Sequence, residues 1–251
     1  THEHLAILDL LQIPRGVVAL TKTDMAESSE WVAFVQEEVR DELAGTVLAD
    51  APIIPVSAYS GAGLDAMRSA LARVLAQAPA HPTEGPPRLF IDRAFSISGF
   101  GTVITGTLKE GVLHIGDEAI IEPGGLKARI RGLQSHKQQL DLALPGSRVA
   151  VNLSGLHPGQ LYRGQVLTAP GRVKSSKRVD VRLWAWQDAP AILSHNMAVT
   201  FHSGAAETMG KLRLLAGDEL LPGEETWAQI ELRNAVAVSR GDHFILRRPS
   251  P

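Results

Sequence analysis

The fold of the first part of the chain is decided by residues 16–24, which have the sequence GVVALTKTD. Five small or apolar residues predict a short buried strand, and the polar motif TKTD begins where that strand ends. A second apolar run, residues 52–56, is followed by Ser57 and Ala58 in the same way. Short apolar strands are typical of parallel sheets covered by helices, whose ligands bind at the carboxyl edge. We therefore predict an α/β sheet with both polar motifs at one edge.

Helical periodicity accompanies both strands. The spacing of apolar residues predicts helices over residues 4–12, 28–43 and about 64–75. Ser28 is expected to cap the second helix, because its hydroxyl can accept a hydrogen bond from a free backbone N–H. The buried stripe of this helix is expected to consist of Trp31, Phe34, Val35 and Val39. This alternation predicts half of a parallel α/β domain.

A proline-rich segment separates this part from a β-rich remainder. Residues 79–87 contain four prolines, which cannot continue a helix and favour a stiff, extended linker. Beyond it, short β-rich runs between Gly or Pro turns predict strands at 89–97, 102–107, 118–122, 127–133, 148–153, 165–168, 179–185, 198–202, 211–216, 227–232 and 244–246. We therefore predict part of an α/β domain over 1–78, a linker over 79–88, and two all-β barrels over 89–170 and 171–251.

The composition is that of an ordinary globular protein. Of the 251 residues, 44% are hydrophobic and 21% are charged, and the net charge of −2 means that any RNA contact must come from a local patch. The absence of cysteine excludes disulfides and thiolate metal sites, and the nine histidines are too scattered to suggest a metal site. No apolar stretch approaches the roughly 20 residues of a transmembrane helix. We therefore expect a cytoplasmic protein with no membrane partner and no metal site of its own.

The two polar motifs have the groups needed to recognise guanine. They resemble the N/T-K-x-D and S-A-x motifs of the GTPases. The carboxylate of Asp24 can accept hydrogen bonds from N1–H and the exocyclic amine of guanine, which adenine does not offer. Lys22 can pack along the ring, Thr21 can brace the loop, and Ser57-Ala58 can bring a backbone N–H to guanine O6. One such motif alone would favour a helix start with a solvated charge; two motifs in order on successive strands favour guanine binding.

Two glycine-rich stretches imitate nucleotide-binding loops without their full pattern. Residues 61–66, GAGLDA, match G-x-G-x-x-A, but four residues separate them from the strand. We interpret them as a turn that leads into the last helix. Residues 204–211 have one residue too many for a P-loop, and we interpret them as a loop entering a strand. No G-x-x-x-x-G-K-[S/T] loop precedes residue 21, so we expect the phosphate-binding and Mg²⁺-binding half of a GTPase domain to be missing.

The most specific resemblance to a known family lies at residues 92–107, DRAFSISGFGTVITGT. This stretch resembles the second domain of translational GTPases related to elongation factor Tu. Two further stretches, HLAILDLL at 4–11 and PGSRVAVNLSG at 145–155, are similar to the selenocysteine-specific elongation factors. GDELLPGE at 217–224 and RGDHFILR at 240–247 are similar to that family's third domain. The resemblance covers essentially the whole chain and implies the C-terminal half of a P-loop GTPase domain followed by two barrels of elongation factor Tu type.

This resemblance implies GTP-dependent delivery of selenocysteinyl-tRNA to the ribosome. It also implies GTP or GDP with Mg²⁺ as cofactors of the intact protein, and C-terminal domains that bind the hairpin of selenoprotein mRNA. The sequence contains no D-x-P-G-H motif and no such C-terminal domain. We therefore expect a fragment that binds no cofactor and does not hydrolyse GTP by itself.

The resemblance also implies a selenocysteine pocket on the second domain. Asp92 and Arg93 match the acidic–basic pair of its first strand, and Arg148 matches the arginine of G-x-R-[IV]-A-x-N. A selenol is ionised near neutral pH whereas a serine hydroxyl is not, so two guanidiniums favour selenocysteine and seryl-tRNA leaves them unpaired. Asp92 can orient a guanidinium or accept from the aminoacyl amine. Without the family, a surface Asp–Arg pair and an isolated arginine on a strand would be the preferred interpretation.

Two other functions remain open at this point. One is another tRNA-delivering or initiation GTPase, in which these three residues are structural. The other is a non-enzymatic double barrel that binds RNA or protein. Trp184 and Trp186 alternate along a predicted strand and are expected to pack on one face, with stacking on RNA bases as the alternative.

Overall fold

The computed structural model describes residues 2–187, 189 and 191–249, and the chain forms two compact units, Thr1–Ala80 and His81–Pro251. The elements of the first unit are α1 (His2–Leu10), β1 (Val18–Leu20), a 3₁₀ turn (Thr23–Met25), α2 (Ser29–Leu43), β2 (Ile53–Pro55) and α3 (Leu64–Ala76). β1 and β2 are parallel neighbours, with Val18 opposite Ile53. The predicted α/β arrangement, in which a polar motif and a helix follow each strand, is confirmed.

Two helix starts follow from single residues. The hydroxyl of Ser28 accepts a hydrogen bond from the backbone N–H of Trp31 at 3.2 Å, so the predicted cap is confirmed. Gly63 precedes α3 with φ +75°, and a Cβ there would lie 2.0 Å from the carbonyl oxygen of Pro55. Only glycine fits this position. The interpretation of residues 61–66 as a turn leading into the last helix is therefore confirmed.

The predicted buried stripe of α2 is wrong for its two aromatic residues. Trp31 and Phe34 are 54% and 52% exposed, and their rings stack on each other with centroids 5.6 Å apart. Val35 and Val39 are half-buried. Apolar periodicity identifies the face of a helix but not what covers it, and the described sheet of this unit has two strands.

The second unit begins with a closed antiparallel barrel. Its strands are β3 (Arg88–Ile97), β4 (Gly101–Glu110), β5 (Leu113–His114), β6 (Glu118–Glu122), β7 (Leu126–Ser135), β8 (Gln138–Leu140), β9 (Leu142–Ala143), β10 (Arg148–Ser154) and β11 (Val166–Thr168). Six of them form a ring in the order β10-β4-β3-β11-β6-β7, which the β7–β10 pairing closes. The interior is filled by fully buried aliphatic side chains, among them Leu89, Ile91, Ile104, Ile121, Val149, Val151 and Leu167.

The remaining strands form the second β domain. They are β12 (Ser175–Trp184), β13 (Leu193–Ser194), β14 (Ala198–Ser203), β15 (Ala206–Leu214), β16 (Glu219–Leu220), β17 (Glu225–Ala237) and β18 (Ile245–Arg247). Five pair in the order β12-β17-β15-β14-β18, over a core that contains Phe201, Leu212 and Ile230. The predicted fold class is confirmed. In the described part of the chain, no helix is long and apolar enough to cross a membrane.

Two details of the second β domain differ from the prediction. β15 begins at Ala206 rather than near residue 211, because Ser203 pairs with Ala206 in a tight hairpin around Gly204. β12 ends at Trp184, and Trp186 follows the strand, so the expectation that both indoles lie in one strand is wrong. The strand ends there because its partner strand β17 begins at Glu225, which is opposite Trp184.

Candidate functional site

The two polar motifs of the first unit meet at the ends of β1 and β2. Lys22 has a left-handed backbone conformation, φ 60° and ψ 36°, which turns the chain into the 3₁₀ turn. The N–H of Thr23 donates to the carbonyl of Val56 at 3.3 Å and so joins the two loops. A left-handed conformation costs a non-glycine residue about 1–2 kcal/mol, and such strain concentrates at functional loops.

A buried hydroxyl holds the carboxylate of Asp24. Ser57 is fully buried, and its hydroxyl donates to Oδ1 of Asp24 while accepting from the N–H of Ser60 at 3.1 Å. Asp24 and Ala58 are exposed; within the described ranges, nothing donates to Oδ2 of Asp24, and the N–H of Ala58 has no acceptor. This set of acceptors and one donor fits the edge of guanine. The bracing role expected of Thr21 is not seen, since its hydroxyl makes no hydrogen bond to the residues described.

The predicted residues of the first barrel come together on its outer face. β4 lies between β3, which carries Asp92, and β10, which carries Arg148. Nη1 of Arg148 donates to Oδ2 of Asp92, and Nη2 donates to Oδ1 at 3.0 Å. The hydroxyl of Thr105, on β4, donates to the same Oδ1 at 2.7 Å. Asp92 therefore binds both terminal nitrogens of one guanidinium, in the bidentate geometry that arginine favours.

A bulge in β3 places Arg93 beside this pair. Ile91 is opposite Gly106 and Arg93 is opposite Thr105, so Asp92 is an extra residue in the ladder. Ile91 is buried and Ala94 packs against the core, whereas Asp92 and Arg93 between them are half-buried and exposed. A bulge interrupts the normal alternation of side chains and can turn two successive residues outward. The three residues that the sequence predicted as a pocket are therefore neighbours.

Asp92 is charged at neutral pH. Partial burial raises the pKa of its carboxyl group, but hydrogen bonds from Arg148 and Thr105 and the charges of Arg148 and Arg93 outweigh burial and lower the pKa below the usual 3.8. An ionised carboxylate thus interacts with the charges of two guanidiniums, of which Arg148 is hydrogen-bonded to it.

An apolar cleft of about 440 Å³, which was not predicted from the sequence, lies on the same barrel. It is lined in part by Ile97, Phe100 and Ala150, and Ala150 is the β10 partner of Thr105, so the cleft begins beside the ion pair. Asn152 donates to the carbonyl of Phe100 at 2.9 Å, while its own Oδ1 is buried without a donor among the described residues. The sequence signal that could have indicated this cleft was the presence of two large apolar residues, Ile97 and Phe100, next to the glycines of a turn. Both residues are exposed in the structure.

A second cleft, of about 420 Å³, lies between the two β domains, and its charged lining residues are Arg163, Lys177 and Glu207. Its lining includes Tyr162, Arg163, Lys177 and Asn234. The sequence from 142 to 179 contains six Lys or Arg residues and no Asp or Glu, although the whole chain has a net charge of −2. Two of these six residues, Arg163 and Lys177, line the cleft.

Both β domains match known families. The family described as "Elongation factor Tu domain 2" matches residues 101–168. The family described as "Selenocysteine-specific elongation factor, beta-barrel domain" matches residues 177–250.

Whole-chain comparisons agree with these matches. Two curated relatives are named selenocysteine-specific elongation factor: that of Desulfomicrobium baculatum is 41% identical over 251 residues, and that of Haemophilus influenzae is 33% identical over 248. They match 100% and 98% of this chain, which spans 39% and 38% of their own lengths.

A solved structure is also similar over almost the whole chain. Translation elongation factor SelB of Methanococcus maripaludis is 27% identical, with TM-scores of 0.88 for its apo form and 0.86 for its complex with the GTP analogue GPPNHP. Each alignment covers 98% of this chain and 57% of the other. The fold, the two domain matches and the identity over the full chain show that this chain belongs to the family of selenocysteine-specific elongation factors.

Proposed function

We propose that the protein delivers selenocysteinyl-tRNA to the ribosome in a GTP-dependent manner, and that these 251 residues supply the guanine-binding loops and the aminoacyl pocket. The observation that carries this proposal is the outward-facing group of Arg93, Arg148 and Asp92 on a barrel that matches the family. Delivery to the ribosome implies a cytoplasmic protein. The hairpin of a selenoprotein mRNA is a further proposed partner, based on the resemblance alone.

The loops of the first unit are proposed to hold the base of GTP or GDP. Asp24 accepts from N1–H and the exocyclic amine, and the hydroxyl of Ser57 keeps its carboxylate in the required orientation. The backbone N–H of Ala58 donates to O6, and the stem of Lys22 packs along the ring. GTP bound with Mg²⁺ would distinguish the form of the protein that carries the tRNA from the form that has released it. The residues described here read the base, not the phosphates.

The arginines are proposed to recognise the selenolate. The side chain of Arg148 is 58% exposed, so its guanidinium can be reached from solvent. A guanidinium has five N–H donors, and Asp92 takes one from each terminal nitrogen. The remaining donors and the neighbouring Arg93 can bind an anion. A neutral serine hydroxyl gains much less from them, because it carries no charge that the guanidiniums can neutralise.

The two clefts are proposed to hold the tRNA. An aminoacyl group is esterified to the terminal ribose, so the last nucleoside must lie within a few ångströms of the amino acid. The apolar cleft begins beside Thr105 and has room for one nucleoside, and the unpaired Oδ1 of Asn152 can accept from a base N–H. Arg163 and Lys177, in the second cleft, can contact phosphates of the tRNA backbone.

Removal of Arg148 tests the proposal. In the full-length protein, by which we mean the longest natural chain that contains these residues, Arg148→Ala should weaken selenocysteinyl-tRNA binding about 10- to 100-fold, the value of one charge-assisted hydrogen bond. Seryl-tRNA binding and GTP affinity should change little. Arg182→Ala is the matched control, since Arg182 forms an exposed ion pair with Glu225 at 2.6 Å on the second β domain. Equal losses for both tRNAs would contradict the proposed pocket.

Exchange of Asp24 tests the guanine loops. Asp24→Asn should shift preference from GTP toward xanthosine triphosphate, because the amide can donate to the O2 that replaces the exocyclic amine. Competition between the two nucleotides for the full-length protein measures the shift. An unchanged ratio would show that Asp24 does not read the base.

A further inference from the structure

Arg148 has donors left over on the edge of its guanidinium that Asp92 does not use. Asp92 accepts from the two terminal nitrogens, Nη1 and Nη2, and the hydroxyl of Thr105 holds its Oδ1 at 2.7 Å. Nε donates to no acceptor among the described residues, and the remaining contact of Nη2 is a long one, 3.5 Å to the hydroxyl of Thr105. Nε and Nη2 form a second parallel pair of donors, because the five N–H groups of a guanidinium lie in one plane. Arg148 is therefore oriented by one carboxylate and can bind a second anion through its side edge.

Arg93 adds a complete guanidinium to the same site. Its side chain is exposed, and its guanidinium donates no hydrogen bond to the part of the chain that the structure describes. It lies close enough to Asp92 for its charge to lower the pKa of that carboxyl group. Two guanidiniums and one ionised carboxylate leave a net charge of one positive. The site therefore has an excess positive charge and more than one parallel pair of donors with which to bind a monoanion.

The surroundings of these donors select an anion only weakly by its size. The site lies on the outer face of the barrel, where the side chain of Arg148 is 58% exposed. Sites that select by shape enclose most of their ligand, and even inside an enclosing apolar pocket one extra methylene is rejected only about 10- to 200-fold. A ligand without charge is rejected more directly, because it leaves the excess positive charge of the site unneutralised. Charge is therefore the property that this site distinguishes best.

We propose that the arginine site recognises charge rather than selenium, and that its ligands include two-oxygen monoanions such as the carboxylate of aspartate as well as a selenolate. This inference rests on the proposed function of the pocket. A selenolate accepts single N–H bonds from the arginines. A carboxylate, whose oxygens lie one bond farther from the backbone, accepts a parallel pair. The distinction between selenocysteine and serine is then one between an anion and a neutral group, and an anion of similar reach on the same tRNA is accepted.

The test uses the full-length protein in its GTP form and one tRNA body charged with two pairs of amino acids. Selenocysteine and serine form the first pair, and aspartate and asparagine, which have the same shape but differ in charge, form the second. A site that recognises charge should bind aspartyl-tRNA about 10- to 100-fold more tightly than asparaginyl-tRNA, the value of one charge-assisted hydrogen bond. Equal affinities for aspartyl- and asparaginyl-tRNA, beside a clear preference for selenocysteinyl- over seryl-tRNA, would overturn the inference and leave the proposed function intact.

Two arginine variants test whether the carboxylate binds in this site. Arg148→Ala and Arg93→Ala each remove the excess positive charge, so each should lower both affinity ratios about tenfold or more. Arg182→Ala, which removes an exposed arginine of the second β domain, should change neither ratio. A fall of the selenocysteinyl-to-seryl ratio alone would overturn the inference, since the carboxylate would then bind elsewhere, and so would a loss of affinity for all four tRNAs with unchanged ratios. If the wild-type protein does not distinguish selenocysteine from serine, the proposed function fails, whereas a preference for aspartate that is lost in both arginine variants would still support the anion site.

Discussion

Two arginine–aspartate pairs in the second unit share their chemistry but not their surroundings. Arg88 and Asp242 join the two β domains, with side chains only 3% and 7% exposed. Arg148 and Asp92 lie on the outer face of the first barrel, with side chains 58% and 24% exposed. The buried pair is surrounded by protein partners, whereas the outer pair leaves donors directed to solvent. A pair enclosed by protein is suited to holding structure, even though Nε of Arg88 is buried with no acceptor among the described residues. An exposed pair with donors to spare is suited to binding a ligand.

The partners of the buried pair show this difference. Arg88 also donates to Glu110 at 2.9 Å and lies 5.3 Å from the ring centre of Phe90. Asp242 accepts from Lys109 at 2.6 Å and from the N–H of Ser239 at 2.8 Å. Glycine completes the contact: a Cβ on Gly204 would lie 2.3 Å from the ring of Phe90. Removing one member would leave charges of the others buried without a partner.

The largest expected effect is therefore on stability at the buried pair. Asp242→Asn should lower the free energy of unfolding of the second unit by about 3–5 kcal/mol, the usual cost of breaking a buried pair. Asp92→Asn, the matched variant of the outer pair, should cost about 1 kcal/mol or less. Urea denaturation followed by tryptophan fluorescence measures both, since three of the four tryptophans lie in the second β domain. Equal decreases in the free energy of unfolding for the two variants would contradict the distinction between a structural buried pair and an outer pair that binds a ligand.

The sequence predicted the outer pair and could not predict the buried one. Asp92 and Arg93 lie in the stretch that carries the family resemblance, and Arg148 lies in a second such stretch. Arg88, in contrast, is the last residue of the predicted linker, and its partner Asp242 is 154 positions away. Local patterns indicate strands and their faces but not which surfaces of two barrels meet.

The other differences between the sequence predictions and the structure have the same cause, because local patterns do not specify contacts between distant segments. The loops around Asp24 and Ser57 were predictable, because each motif directly follows a strand and parallel strands end at one edge. The bulge at Asp92 and the position of Thr105 beneath the ion pair depend on register, which no single strand specifies. Trp31 and Phe34 were predicted to be buried from periodicity alone, which does not say what covers a helix face. Strand existence and loop chemistry are local properties, whereas pairing and burial are not.

A smaller effect is expected from coupling between the two outer arginines. If Arg93 and Arg148 bind one anion, Arg93→Ala should lower selectivity for selenocysteinyl- over seryl-tRNA about tenfold, and the double variant should lose less than the two single losses combined. A corresponding cycle with Arg148 and Arg182 should be additive, since Arg182 lies on the other β domain. Additive losses for Arg93 and Arg148 would mean that they contact different parts of the tRNA.

The smallest expected effect is the response of each pair to acid. Burial raises the pKa of Asp242, but hydrogen bonds from Arg88, Lys109 and the N–H of Ser239 outweigh it and lower the pKa below the usual 3.8. A carboxyl group whose pKa is lower in the folded state contributes stability that is fully present above its unfolded pKa, and this contribution is lost as the pH falls through the folded pKa. The pKa of Asp92 is lowered in the same direction. Both contributions should thus be fully present at neutral pH and be lost progressively as the pH falls below about 4.

The two pairs should differ in what that loss does to the protein. Protonation of Asp242 leaves Arg88 buried without this anion, so the free energy of unfolding of the second unit should fall with acid. Protonation of Asp92 leaves Arg148 exposed to water, which can solvate it. Urea denaturation between pH 3 and 6, as a rough working range around the unfolded carboxyl pKa, should show a clearly shallower acid dependence for Asp242→Asn than for the wild type and only a slightly shallower one for Asp92→Asn. A larger flattening for Asp92→Asn than for Asp242→Asn would show that the outer pair, and not the buried one, holds the unit together, and the assignment of a ligand-binding role to Arg148 would then lose its physical basis.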